Sequence, residues 1–483
     1  MLINYRYQNN RQNKKHLKST SILLFHCNAV YAVTEDQNSK KMKIISFRIL
    51  SILAFSIFAV SMAKSQNRTP DFTGDSVDLQ QIVTRVIETH PSVLKAEEAI
   101  NTVEAGIGLA RSAYYPDIDL SAGYTRIGPV PAISVPNLGS FDMAPADNYN
   151  TAVNVRQTVY DFSKTKTNIQ IAESNKDIAE KNIDLVRQRL SMTTIASYYS
   201  IAYLQEAVHI KDIQLGILEK HLDFVTRQKE TGSATDYEIL STKVRISNAK
   251  NQKLDLETAL DNQVAILNSL LGVPENTKIV VKNRLLIQPV NYEFDSLISY
   301  AILHRNEMAL ARLRQKQAEL RFHAVKIENN PTLSAFASGG IKDGYFPDLY
   351  QPKANYTAGL GLRVPIFTAT RHKYNLQWAT SDISSIKNDI EFYRREISSE
   401  VYQNATSLEA SKRKIEQSEL QLEQAQEARR LAALRYTSGT LTNLDLLDNE
   451  SYEAESRLTL MKARIDYLIN SARLEISIGN QGY

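Results

Sequence analysis

Residues 371–437 read RHKYNLQWATSDISSIKNDIEFYRREISSEVYQNATSLEASKRKIEQSELQLEQAQEARRLAALRYT, a run with neither glycine nor proline. It is rich in Ala, Leu, Glu, Gln, Lys and Arg, the good helix formers, and as one helix it would reach roughly 100 Å at 1.5 Å per residue. A second run, Lys164 to Thr231, has the same character, and no Gly or Pro occurs between Ala146 and Leu215. Globular helices average about 11 residues, so helices this long imply coiled-coil packing. Just beyond the quoted run, Leu444, Leu447, Ser451, Ala454, Leu458, Met461, Ile465 and Leu468 alternate three and four apart. That spacing gives one continuous seam toward a neighbouring helix. Its mixture of large and small side chains suits helices around a hollow as well as a plain rod.

The chain is also a duplication. At an offset of 207, Arg156, Lys166, Asn168, Gln170, Ala172 and Ser174 recur as Arg363, Lys373, Asn375, Gln377, Ala379 and Ser381, and Gly232 recurs as Gly439. A second offset, 215, carries Leu79, Ile82, Val93 and Pro116 onto Phe294, Leu297, Met308 and Pro331. Each unit therefore reads helix, proline break, strand, loop, strand, long helix, glycine turn, returning helix. The expected boundaries are 66–272 for the first repeat, 273–292 for a linker and 293–483 for the second repeat.

Four strands are expected, at about 117–128, 149–160, 332–341 and 356–367. In the first, Ile118, Leu120, Ala122 and Tyr124 alternate with Asp119, Ser121, Gly123 and Thr125; the third is the least clear. Ten residues is the length a tilted strand needs to cross a bilayer, although each run alone also fits a soluble sheet with one wet face. Four strands cannot close a membrane barrel, whose smallest form has about eight, and an open edge in lipid is forbidden. On the membrane reading the chain must oligomerise: two copies give eight strands and three give twelve.

Met42-Lys43 opens a short basic segment followed by the apolar run Ile49 to Val60 and small residues through Ser65, so 42–65 reads as a secretory signal peptide. A spanning helix would need about 20 apolar residues. Residues 1–41 lie upstream of a complete signal and read as an over-extended start. They hold the only cysteine, Cys27, which leaves the exported chain without disulfide or metal thiolate. Ten of the 57 Lys/Arg and two of the 53 Asp/Glu fall within the first 65 residues, so the formal +4 becomes 47 basic against 51 acidic groups afterwards. The basic balance belongs to the export segment and gives no support to nucleic-acid binding.

The segment Tyr436-Thr-Ser-Gly439-Thr-Leu-Thr-Asn-Leu-Asp445-Leu-Leu-Asp448, followed by Ala463-Arg464 and Tyr467-Leu-Ile-Asn470, resembles the TolC family of outer-membrane efflux proteins. The duplicated plan extends the resemblance over nearly all of the exported chain. It implies a mainly α fold with a small membrane β-barrel. In the family, three chains form a twelve-stranded barrel in the outer membrane of a Gram-negative bacterium, continued by a periplasmic tunnel of long coiled-coil helices. The linker and both exported termini would form an equatorial belt. Gly232 and Gly439 would mark the periplasmic tips where an adaptor (membrane fusion protein) docks, linked to an inner-membrane RND, ABC or MFS transporter. Asp445 and Asp448 match two aspartate rings that narrow the entrance and favour cations. Tyr436 matches a gate-latch tyrosine, Glu238 replaces its aspartate partner, and Leu441 stands where the family has an arginine, so one charged link is expected to be missing.

Catalytic patterns are wanting. The six histidines beyond residue 65 (His90, His209, His221, His304, His323, His372) have no metal-binding or triad spacing. No cofactor, metal site or enzyme activity is expected. The expected function is a passive exit duct of an efflux or type I secretion system. The alternative is a trimeric coiled-coil structural or adhesive protein anchored in the outer membrane, which explains the helices but not paired strands within two repeats.

Overall fold

The computed structural model describes residues 77–136, 139–282 and 294–480. The expected extension 1–41 with Cys27, the signal segment 42–65, and linker residues 283–292 lie outside the described residues.

Two units follow each other. The first holds α1 (Leu79–Thr89), α2 (Pro91–Ser112), β1 (Asp117–Arg126), a small hairpin β2 (Ala132–Val135) and β3 (Gly139–Asp142), β4 (Asp147–Tyr160), α3 (Lys164–Glu230) and α4 (Asp236–Leu271). The second holds α5 (Phe294–His304), α6 (Asn306–Lys326), β5 (Thr332–Lys342), β6 (Lys353–Arg363), α7 (Arg371–Thr437) and α8 (Asn443–Ser477). The backbone repeats as the sequence does. Helices α3 and α7 each have 67 residues and start and stop 207 positions apart. Left-handed Gly232 and Gly439 turn the two long hairpins, and left-handed Phe162 and Ala369 bend strand into helix at equivalent places. The β2–β3 hairpin has no counterpart in the sequence reading, which expected only loop there.

Strands β1, β4, β5 and β6 form one antiparallel sheet in that order. Rows cross it by chemistry. Leu120, Val153, Gly339 and Tyr356 lie abreast, as do Ile118, Val155, Ala337 and Ala358; between them run Asp119, Asn154, Ser338 and Thr357. On the polar face Asn154 Nδ2 donates to Asp119 Oδ2 (2.9 Å) and to Ser121 Oγ (3.0 Å), and Ser338 Oγ donates to Asn154 Oδ1 (2.9 Å). The apolar face is uncovered, with Leu120 71% and Tyr356 88% exposed. A sheet apolar on one side, hydrogen-bonded on the other and unpaired at β1 and β6 fits a barrel wall that other copies must complete.

Below the sheet α2 lies along α3, joined by Arg111–Glu173 (2.7 Å), Lys176–Glu104 (2.6 Å) and Arg187–Glu97 (2.8 Å). Helix α6 lies between α3 and α7, where Gln317 Nε2 donates to Ser174 Oγ (2.9 Å). Further down, α4 and α8 take the places of α2 and α6, so four helices run abreast at either level. The core follows α8 on two faces. Leu460, Ala463, Tyr467 and Leu474 pack with Ile397, Val401, Ala405 and Leu408 of α7. Leu447 packs with Leu215 and Leu218 of α3 and Ile246 of α4. The sequence seam through Leu447, Ala454, Met461 and Ile465 is only the second of these faces. The other runs one residue out of step, through Leu446, Glu450, Glu453, Leu460 and Tyr467. No helix among the described residues is long and apolar enough to cross a membrane.

Candidate functional site

The expected site residues meet where the two long hairpins turn. Both returning helices begin at a hydroxyl cap. Thr235 Oγ1 accepts from the Glu238 backbone N–H while Glu238 Oε2 accepts from that of Thr235 (2.9 Å), a reciprocal capping box. Thr442 Oγ1 likewise accepts from the Asp445 N–H (3.2 Å) and donates to Asp445 Oδ2 (2.6 Å). Asp445 therefore sits exposed in the first turn of α8, where the helix dipole favours negative charge.

Asp448, one turn on, is paired with Arg245 of α4. Leu441, in the α7–α8 turn, carries no charge, and the positive group beside Asp448 comes from α4 instead. Glu238 directs its carboxylate at its own helix start. The ring of Tyr436 packs against His221 (centroids 5.4 Å) and Phe224 (6.2 Å) of α3. Burial, and then the nearby Glu238 charge, raise the Tyr436 phenol above its ordinary range.

A further tie between the hairpins is Asn443, which the sequence reading missed. It is buried, its Oδ1 accepts from His221 Nε2 (2.5 Å), and its Nδ2 faces Glu238 O (3.3 Å), Ser241 Oγ (3.2 Å) and Thr242 Oγ1 (3.4 Å). One amide thus joins α3, α4 and α8. With Nε2–H donating, Nδ1 carries no proton in the neutral ring. Burial lowers the His221 pKa and favours that neutral form, with the Asn443 bond and the Glu238 charge opposing. The only sequence signal was an Asn one residue after the Thr cap, a position that usually faces water.

Gly232 and Gly439 are the turns themselves, with φ of 76° and 71° and open space around each Cα. No group of His, Cys, Asp and Glu that could hold a metal ion occurs among the described residues.

The family described as outer membrane efflux protein matches residues 82–273 and again 297–480, one match per repeat. The chain is 21% identical over 419 residues to the outer membrane protein TolC of Escherichia coli (strain K12), spanning 83% of this chain and 82% of that protein. It is 22% identical over 340 residues to the alkaline protease secretion protein AprF of Pseudomonas aeruginosa, spanning 69% and 70%. Its fold matches that of the outer membrane protein VceC of Vibrio cholerae with a TM-score of 0.68 at 18% identity, covering 83% of this chain and 96% of that one.

Proposed function

The chain belongs to the outer membrane efflux protein family, and from that premise we propose that it works as the trimeric exit duct of a tripartite efflux or type I secretion system. It is an outer-membrane channel of a Gram-negative bacterium, with a long helical portion on the periplasmic side. The family is one of channel proteins, and the reading assigns this chain no chemistry of its own. The carrying observation is the four-stranded sheet, apolar on one face and unpaired at both edges, standing above four abreast helices. Three copies would close twelve strands over twelve helices.

In this reading the turns at Gly232 and Gly439 meet a periplasmic adaptor, and an inner-membrane RND, ABC or MFS transporter supplies the energy. Asp445 carries the cation preference of the entrance, six carboxylates being present in a trimer once Asp448 is counted. Arg245 damps the contribution of Asp448. Tyr436, His221, Phe224 and Asn443 hold the two hairpins of one chain together at the tip. Domain boundaries follow the repeats, 66–272 and 293–483, with 273–292 between them in the equatorial belt.

Reconstitution of the purified protein in planar bilayers tests the reading. Steady single-channel conductance is expected from a particle whose detergent-corrected mass is three chains. A structural or adhesive coiled coil would give none, and that result would overturn the proposal.

A further inference from the structure

About two turns into α8 from its tip end, the packing face that runs through Leu446, Leu460 and Tyr467 carries charge where its heptad positions call for apolar residues. Glu450 and Glu453 are both buried there, 9% and 6% exposed. They line a cavity with Ile210, Ile213 and Ile217 of α3 and with Arg429 of α7 and Arg457 of α8. The four charges are not evenly shared. Glu453 takes both guanidiniums: Arg429 pairs with its Oε2 and Arg457 with its Oε1 (2.6 Å). Glu450 has neither, and its Oε2 is buried without a hydrogen-bond partner.

The surroundings offer Glu450 little else. From α3 the cavity receives isoleucines and Gln214, and the amine of Lys211 is held by Gln214 Oε1 and Gln252 Oε1 of α4, both at 2.9 Å. From α7 comes Arg429, ion-paired with Glu453 while its buried Nε makes no hydrogen bond, and from α8 itself come Glu453, a like charge, and Arg457, which is paired with Glu453. A buried carboxylate without its own partner is costly, and a proton removes that cost.

We propose that Glu450 is a proton-binding site whose occupancy sets how tightly α8 packs between α3 and α7. With the proton on, the three helices close over a neutral side chain. With it off, an uncompensated charge beside Glu453 favours water entry and a looser α8. Burial first, and then Glu453, against the attraction of Arg429, push the Glu450 carboxyl up to about 7. The packed form therefore binds more protons than the loosened one, so packing is tightest in acid and weakens as pH rises through that value.

Hydrogen–deuterium exchange of α8 amides in the assembled, full-length exported protein tests this, with rates corrected for the intrinsic pH dependence of exchange. Between pH 5 and pH 8, protection around Glu450 is expected to fall on the order of tens of fold. In Glu450→Gln it should stay at the acid level throughout. A flat wild-type profile, or an unchanged slope in the variant, would overturn the proposal. Should the variant not assemble, the infrared band of a protonated buried carboxyl is followed in the wild type: a band lost on raising pH through neutrality supports the site, and no such band refutes it. Exchange reads helix packing and the infrared band reads protonation; neither reads conduction, so both stand apart from the channel test.

Discussion

Arg245 of α4 and Asp448 of α8 form an ion pair between the two long hairpins of one chain. It joins elements that begin 207 residues apart, at the level where the proposed function puts the entrance. About a third of each side chain is exposed, so the pair contributes at most about 1 kcal/mol per copy. Replacing Arg245 with Gln should therefore raise resting conductance modestly, through three such losses in a trimer, without preventing assembly. Single-channel recording decides this, and conductance equal to wild type would leave the pair without a role in closure.

The two acids should not be equivalent. Asp445 is exposed with only a hydroxyl partner, whereas Asp448 faces a guanidinium. Asp445→Asn should weaken block by polyvalent cations and reduce cation selectivity more than Asp448→Asn does. Reversal potentials in a salt gradient measure both; equal effects would mean that Arg245 does not screen Asp448 in the assembled entrance. The Asn side chain keeps the capping geometry, so helix initiation should change by less than about 1 kcal/mol.

Asn443 should matter more to tip integrity than either acid. Truncation to Ala leaves His221, Ser241 and Thr242 short of a partner in a buried place, which costs about 1–3 kcal/mol. Cleavage at the Gly232 and Gly439 turns by an added protease should accelerate, by roughly tenfold for each 1.4 kcal/mol. An unchanged rate would show that the network is dispensable.

The same network carries a pH dependence opposite to that of Glu450. The lowered His221 pKa means that the packed tip holds the neutral ring. Its contribution is fully present above the ordinary histidine value of about 6.5 and is lost as pH falls toward the lowered one. Tip cleavage, normalised to an unfolded substrate, should rise on acidification below that value and should flatten in His221→Gln. A rate that falls in acid would contradict the assignment.

On the sheet, Leu120→Arg places charge on the apolar row and should cost about 2–4 kcal/mol if that row lies near the bilayer midplane. Thr357→Arg, on the polar face, should be tolerated. The yield of heat-modifiable trimer from outer membranes compares them, and equal yields would reverse the assignment of faces.

The long helices, their turns and three of the four strands were legible because each rests on a local pattern: missing breakers, a left-handed glycine, strict alternation. Strand β5 was faint because Ser334, Ala335, Ala337, Ser338 and Gly339 differ little in polarity from one face to the other. Yet it is a central strand, and a Cβ at Gly340 would lie 2.1 Å from Thr151 O, so the smallness that blurred the signal is what lets the strands approach. The partner of Asp448 was hidden for another reason. Arg245 is 203 positions away on a different helix, and only the folded hairpins bring it near. Glu450 and Glu453 lie outside the apolar heptad that the sequence displays, whereas α8 is buried along two faces, theirs included.

The equal lengths of α3 and α7 constrain how such a chain can change over generations. In a ring built from three copies, both turns of every copy must end at one level to present a single rim. Adding one heptad to α3 alone would lower three of the six turns by roughly 10 Å and would require α4 to grow by the same amount. A lengthened or shortened duct is thus reachable only by matched insertions at four places in the gene. Isolated insertions should instead accumulate in segments such as 128–148, whose β2–β3 hairpin already has no counterpart in the second repeat.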